Sequence, residues 1–294
     1  GGTFEALSGG TLADTVAIHV SKDSTFIAGA ADTVGSVLVD DKGTGTNAGL
    51  FTLNANITTQ GNYTNNGITT LTADRTITAI GGLSGASTGI INIDNTSTTL
   101  TLNQTGDTTY SGKIQGAGNF VKTGTGTLTV YGALVDIAGV LTIDNGKIGL
   151  DGAGILDSDL DVIVSLNGEL ELISGNQHID SLGGEGLIDL GSNILYVNNG
   201  GEFTGNVTGN GTLYIGSGRF NITDNITSTT GTFDVAQGAT TTIANNAELN
   251  FPKINVQDGG TLDIIGTAQA SNDLIVNTNG TLHLGDAANN ISGV

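Results

Sequence analysis

Asp157-Ser158-Asp159-Leu160-Asp161 sets three carboxylates on alternate positions. On an extended strand that spacing turns all three to one side, and clustered hard oxygens are what a calcium ion takes. The EF-hand pattern fails, because Val162 stands where glycine should follow. A second stretch, Gly183-Gly184-Glu185-Gly186-Leu187-Ile188-Asp189, approaches the calcium-binding nonapeptide but carries Ile188 at the aspartate position. A solvated acidic face accounts for these carboxylates better than a metal does. No metal ligand is assigned, and calcium is the one cofactor these residues would admit.

Acid–base chemistry on a sugar acid needs several Asp, Arg, Lys or His side chains converging on one groove. The chain offers only Arg75 and Arg219, far apart in sequence, and three isolated histidines, His19, His178 and His283. His283 falls at an alternating position within Gly280-Thr281-Leu282-His283-Leu284, where an outward strand residue is the simpler reading. There is no Gly-x-Ser-x-Gly elbow, phosphate loop or His-Glu-x-x-His zinc motif. No catalytic or cofactor-binding residue is assigned, and the expectation is a protein that is not an enzyme. Asn56-Ile57-Thr58, Asn206-Val207-Thr208 and Asn225-Ile226-Thr227 are glycosylation triplets that an Asn- and Thr-rich chain produces by composition.

The elements that would carry these residues are short strands. Gly-Thr-Leu-x-apolar closes the segment 110–130 and returns as Gly211-Thr212-Leu213-Tyr214-Ile215 and Gly260-Thr261-Leu262-Asp263-Ile264. Related copies are Gly139-Val140-Leu141-Thr142-Ile143, Gly168-Glu169-Leu170-Glu171-Leu172 and the stretch ending at Leu284. Apolar residues alternate by two, as in Leu160–Leu166 and Leu170–Ile173 with a turn expected at Asn167-Gly168. Asn198-Asn199-Gly200-Gly201 and Gly183–Gly186 also read as turns.

A short strand recurring after a glycine is the mark of stacked units, none of which buries its own apolar face. Coils of roughly 22 residues, each adding about 4.8 Å, would make a rod of roughly 60 Å. The expected architecture is all-β, a parallel β-helix, as one solenoid over 1–294 that is less regular over about 1–103. Asp40-Asp41-Lys42-Gly43-Thr44-Gly45-Thr46-Asn47 reads as an exposed turn or lateral loop within it.

Composition fits. Gly is 48 of 294, Pro 1, aromatics 4 % and hydrophobic residues 37 %, which suits neither a disordered chain nor collagen. Cysteine is absent, removing thiolate metal sites and redox chemistry. Methionine is absent too, even at position 1, so the chain is expected to be a processed or truncated part of a longer precursor. No run is long and apolar enough to span a bilayer, so no direct membrane insertion by these residues is expected. Net charge −20 argues against nucleic acid and against adsorption to anionic lipid.

Tyr110, Gly112, Ile114, Gly116, Gly118 and Phe120, followed by Lys122, Gly124, Gly126, Thr127 and Leu128, resemble the passenger-associated repeat of bacterial autotransporters. The resemblance runs over Tyr110–Val130 and on to Gly139–Ile143, roughly 35 residues, and beyond them the texture is similar to rickettsial outer-membrane surface antigens. The resemblance implies a right-handed β-helix exported through a C-terminal barrel, whose amphipathic strands are not in this sequence. It also implies an extracellular or outer-membrane-surface location. The expected function is a structural or adhesive cell-surface rod whose partner is a host-cell or neighbouring-cell surface. An alternative is a filament or surface-layer subunit that pairs with itself, head-to-tail or laterally, since Gly1-Gly2-Thr3 and Ile291-Ser292-Gly293-Val294 carry no cap. A third is a polysaccharide-acting enzyme on the same fold.

Overall fold

The computed structural model describes residues 2–6, 12–43, 46–131, 137–153 and 155–285, with the backbone of 291–292. Thr44 and Gly45 of the lateral loop, and the terminal Gly1, Gly293 and Val294, lie outside the described residues. Every described strand pairs parallel with its neighbours, and no described residue is helical. The chain is a parallel β-solenoid falling into two compact units, Gly1–Leu150 and Asp151–Val294.

In the first unit each coil supplies strands to three faces. Thr25–Ala28, Leu50–Leu53, Ile68–Leu71, Ile90–Asn92 and Lys113–Gln115 stack along one of them. Ala17–Val20, Ser36–Val39 and Asn62–Asn65 stack along a second. Ile57–Thr59, Arg75–Ala79, Thr99–Gln104 and Asn119–Thr123 form the third. Alternation sends every second residue inward, so each inward residue lies over its counterpart one coil away. Phe26 over Phe51 is one such pair, with ring centroids 5.1 Å apart.

The second unit repeats the logic. Leu195, Leu213, Phe233 and Ile254 form one fully buried column, and Phe220, Thr241 and Leu262 another. The recurring glycine has a steric reason: a Cβ on Gly211 would collide with the carbonyl oxygen of Asn193 in the preceding coil. Coils this close leave room for hydrogen there and little else.

Three sequence expectations need correction. Asn167-Gly168 does not interrupt a strand; Asp161–Ser174 runs continuously and turns a corner there. Gly200-Gly201 opens the strand Gly200–Phe203 with positive φ at both glycines, and Gly183-Gly184 ends the strand Leu182–Gly184. Gly184, Gly200 and Gly201 permit close backbone approach within the sheet, while the expected bends fall on Glu185-Gly186 and Asn198-Asn199 beside them. Asp157–Asp159 lies in a turn closed by Leu160 N donating to Asp157 O at 3.1 Å, so the three acids do not share a strand face. The single proline, Pro252, sits where the register of Glu248–Val256 slips against its neighbour, at a bulge that spares the missing donor.

One inward position is unsatisfied. Thr241 is fully buried and its hydroxyl has no hydrogen-bond partner. Thr241→Val keeps the branched shape and removes the stranded hydroxyl, so it should raise unfolding free energy by about 1 kcal/mol. In the neighbouring column Leu213→Ala should cost about 2–5 kcal/mol, and Leu213→Asp more, because it buries a charge. Urea unfolding of the three variants beside the parent checks both signs.

Candidate binding face

The residues capable of acid–base chemistry are dispersed. His19 Nε2 meets Asp40 Oδ2 at 2.8 Å, and His283 Nδ1 meets Asp263 Oδ1 at 2.6 Å; both pairs link adjacent coils at exposed outward positions. Arg75, in the first unit, donates from Nε to the Leu53 carbonyl at 3.3 Å and from a terminal nitrogen to its neighbour Asp74 at 2.6 Å. Arg219 is exposed in the second. Asp159 N donates to Asp157 Oδ1 at 3.1 Å, while Asp161 accepts from Ser181 instead. Ile188, at the aspartate position of the nonapeptide pattern, is fully buried. Among the described residues no three His, Cys, Asp or Glu side chains gather as a metal-binding group.

What the fold does assemble is a column on the outer face of the second unit. Register places His178 over Tyr196, Tyr196 over Tyr214, Tyr214 over Asp234 and Asp234 over Asn255. The His178 and Tyr196 rings stack at 4.2 Å and 5°. Tyr214 meets Tyr196 at 5.0 Å and 62°, edge towards face. Asp234 accepts from Asn255 Nδ2 at 2.9 Å, and Gln257 Nε2 reaches both of its oxygens at 3.0 Å. Partial burial raises its pKa against the pull of these amides and of Lys253. Partial burial also raises the Tyr214 phenol, helped by the Asp234 carboxylate and by Tyr196.

Aromatic rings beside a carboxylate held by amides offer both apolar contact and directional hydrogen bonds. This column was not read from the sequence. The available signal is the shared Leu-Tyr-apolar pattern of Leu195-Tyr196-Val197 and Leu213-Tyr214-Ile215.

The residues of the passenger-type repeat mostly face inward. Tyr110 is fully buried, and its hydroxyl accepts from Asn65 Nδ2 at 3.0 Å and donates to Lys113 O at 3.3 Å. A Cβ on Gly112 would lie 2.5 Å from that hydroxyl, which explains the aromatic-x-Gly spacing. Burial pushes the phenols of Tyr110 and Tyr63 well above their ordinary range.

Lys122 occupies an aliphatic column between Leu102 and Ile143 and is fully buried. Its Nζ donates to the carbonyls of Thr123 at 2.9 Å, Gly124 at 3.0 Å and Asn145 at 3.4 Å, all at coil corners. Desolvation brings its pKa down to about 8, against the upward pull of Asp107.

No family model matches the chain, and neither does any curated protein. Among solved structures, the TibC-catalysed hyper-glycosylated TibA55-350 fragment aligns over 98 % of this chain and 99 % of its own. Its identity is 18 % and its TM-score 0.40. That score is too low to argue from, and the solenoid rests on its own strand pairings.

Lys122 generates a pH prediction. Its folded pKa lies below its ordinary value of 10.5, so between about pH 8 and pH 10.5 the unfolded chain binds the extra proton. Stability should therefore rise with pH across that window, by up to about 2 kcal/mol between pH 8 and pH 10. Above pH 10 the buried tyrosines reverse the slope, because they ionise more readily unfolded. Denaturant midpoints at pH 8 and pH 10 should separate the parent from Lys122→Met, which lacks the rise.

Proposed function

We propose that this chain is a non-catalytic solenoid displayed outside a bacterial cell or on its outer membrane, attaching to a host or neighbouring cell through an extended outer face. The observation that carries this reading is the outward column His178, Tyr196, Tyr214 and Asp234. Elsewhere the outward positions are mostly Thr, Asn and Asp, which suit a solvated surface. Solenoids bind through such long faces rather than deep clefts. The passenger-type repeat agrees with life outside the cell, and net charge −20 with a solvated surface there. Dispersal of the histidines and arginines supports a role without catalysis.

Beads coated with the purified chain should attach to target cells above the level of an unrelated protein of similar acidity. Tyr196→Ala combined with Tyr214→Ala should lower attachment severalfold while leaving the melting temperature of the fold near that of the parent. Attachment equal to the acidic control, or unchanged in the double variant, would remove the reading.

A second reading, self-association, draws on exposed residues in inward columns. In the first unit Phe4 stacks on Phe26 at 5.3 Å yet is 55 % exposed. In the second, Val276 and Leu284 continue buried columns and are 39 % and 57 % exposed. Sedimentation over a hundredfold concentration range should show growth that Phe4→Asp suppresses. A single monomer peak throughout would discard this reading.

A further inference from the structure

The base of the lateral loop after Ser36–Val39 is held firmly by hydrogen bonds. Asp40 pairs with His19 at 2.8 Å and accepts from Gly49 N at 2.9 Å through its carbonyl. The Asp23 carboxylate accepts from the backbone of Asn47 at 2.7 Å and of Thr46 at 3.2 Å. These donors hold the Asp23 carboxyl below its ordinary pKa, with the Asn47 amide the largest cause.

Asp41, Lys42 and Ala48, at the base of this loop, border an open cleft of about 350 Å³ on one outer face of the first unit. Its floor is aliphatic. Ile68 and Ile90 lie in register and point outward, and Lys113 follows in the same column. Lys42 and Asp41 of the loop also line the cleft, as do Ser87 and Thr88.

Charge is distributed unevenly here. The chain holds 8 basic residues against 28 acidic ones, and two of the 8 line this one cleft. Both are exposed, and neither ammonium has a carboxylate partner among the described residues. With Asp41 included the cleft carries one net positive charge, in a protein of net charge −20. A gap left under a loop requires neither outward isoleucines nor unpaired lysines.

We propose that this cleft binds a small amphipathic carboxylate, its aliphatic body lying on Ile68 and Ile90 and its anionic head between Lys42 and Lys113. The volume is at the small end of ligand pockets and suits a chain of roughly eight carbons. Apolar contact supplies the attraction, and the two ammoniums select the anion over a neutral molecule of equal length.

Calorimetric titration with octanoate and with octanamide, its uncharged counterpart, tests the assignment. Octanoate should bind at least fivefold more tightly, with an advantage that shrinks as salt rises. Combining Lys42→Gln with Lys113→Gln should erase the difference between the two ligands. Ile68→Thr with Ile90→Thr, restoring the residue type common on the exterior, should weaken both ligands alike. Equal binding of octanoate and octanamide, undiminished octanoate binding by the lysine variant, or no heat from octanoate at 10 mM would overturn the proposal. If a variant fails to fold, the ratio measured on the parent protein still decides. The cell-attachment assay concerns the other unit, so either proposal can fail alone.

Discussion

Hydrogen bonding between successive coils is the constraint from which the rest follows. Parallel pairing in register places adjacent coils about 4.8 Å apart and confines each side chain to a column of its own kind. Inward columns are then mostly apolar, as in Phe26 over Phe51 or Leu195 over Leu213. Corners have the opposite requirement, since the chain there folds back on the carbonyls of the previous coil. Gly211 against the Asn193 carbonyl and Gly112 against the Gly89 carbonyl both meet that requirement. A thin core of this kind needs few aromatics and no disulfide, because every coil is held on two sides along most of its length.

The same constraint explains the polar residues inside. Lys122 and Thr241 both interrupt aliphatic columns, with different consequences. Lys122 is long enough to reach the corner, where its ammonium donates to three carbonyls. The hydroxyl of Thr241 sits mid-strand, where neighbouring amides and carbonyls are already engaged in the ladder, and it finds no partner. Gln104 resembles the lysine: its amide donates to Gly106 O and Thr127 O, both at 2.9 Å. Polar groups in this interior are satisfied by reaching a strand end, as Lys122 and Gln104 do, or by bonding one another, as Tyr63, Thr69 and Asn65 do.

Legibility in the sequence divides along the same line. Gly-Thr-Leu-x-apolar disclosed the solenoid because period-two apolarity reports which side a residue faces. Glycine was less informative. It reports only that a Cβ is excluded, and Gly200-Gly201 shows that close approach within a strand looks like a turn. The three alternate acids at 157–161 misled for a related reason, because alternation has directional meaning only once the segment is extended. The outward column was hidden by coil length. Tyr196 and Tyr214 are eighteen positions apart, whereas Tyr214 and Asp234 are twenty apart. No fixed period aligns all three, and only the pairing register does.

Coil length varies because the corners can absorb residues without disturbing the ladder. The insertion between Val39 and Gly49 leaves Phe26 paired with Phe51 and Val37 paired with Tyr63. Loop closure entropy grows only slowly with length, so such an excursion costs little once its base is fixed. Asp23 and His19 fix this one, and both side chains act from outside the core. Inward positions are too constrained to carry recognition, whereas outward columns and corner loops can change at small cost to folding. Departures from the Thr- and Asn-rich exterior are therefore the places where selection for binding would be recorded. The stacked rings on one unit and the isoleucine-floored cleft on the other are departures of that kind.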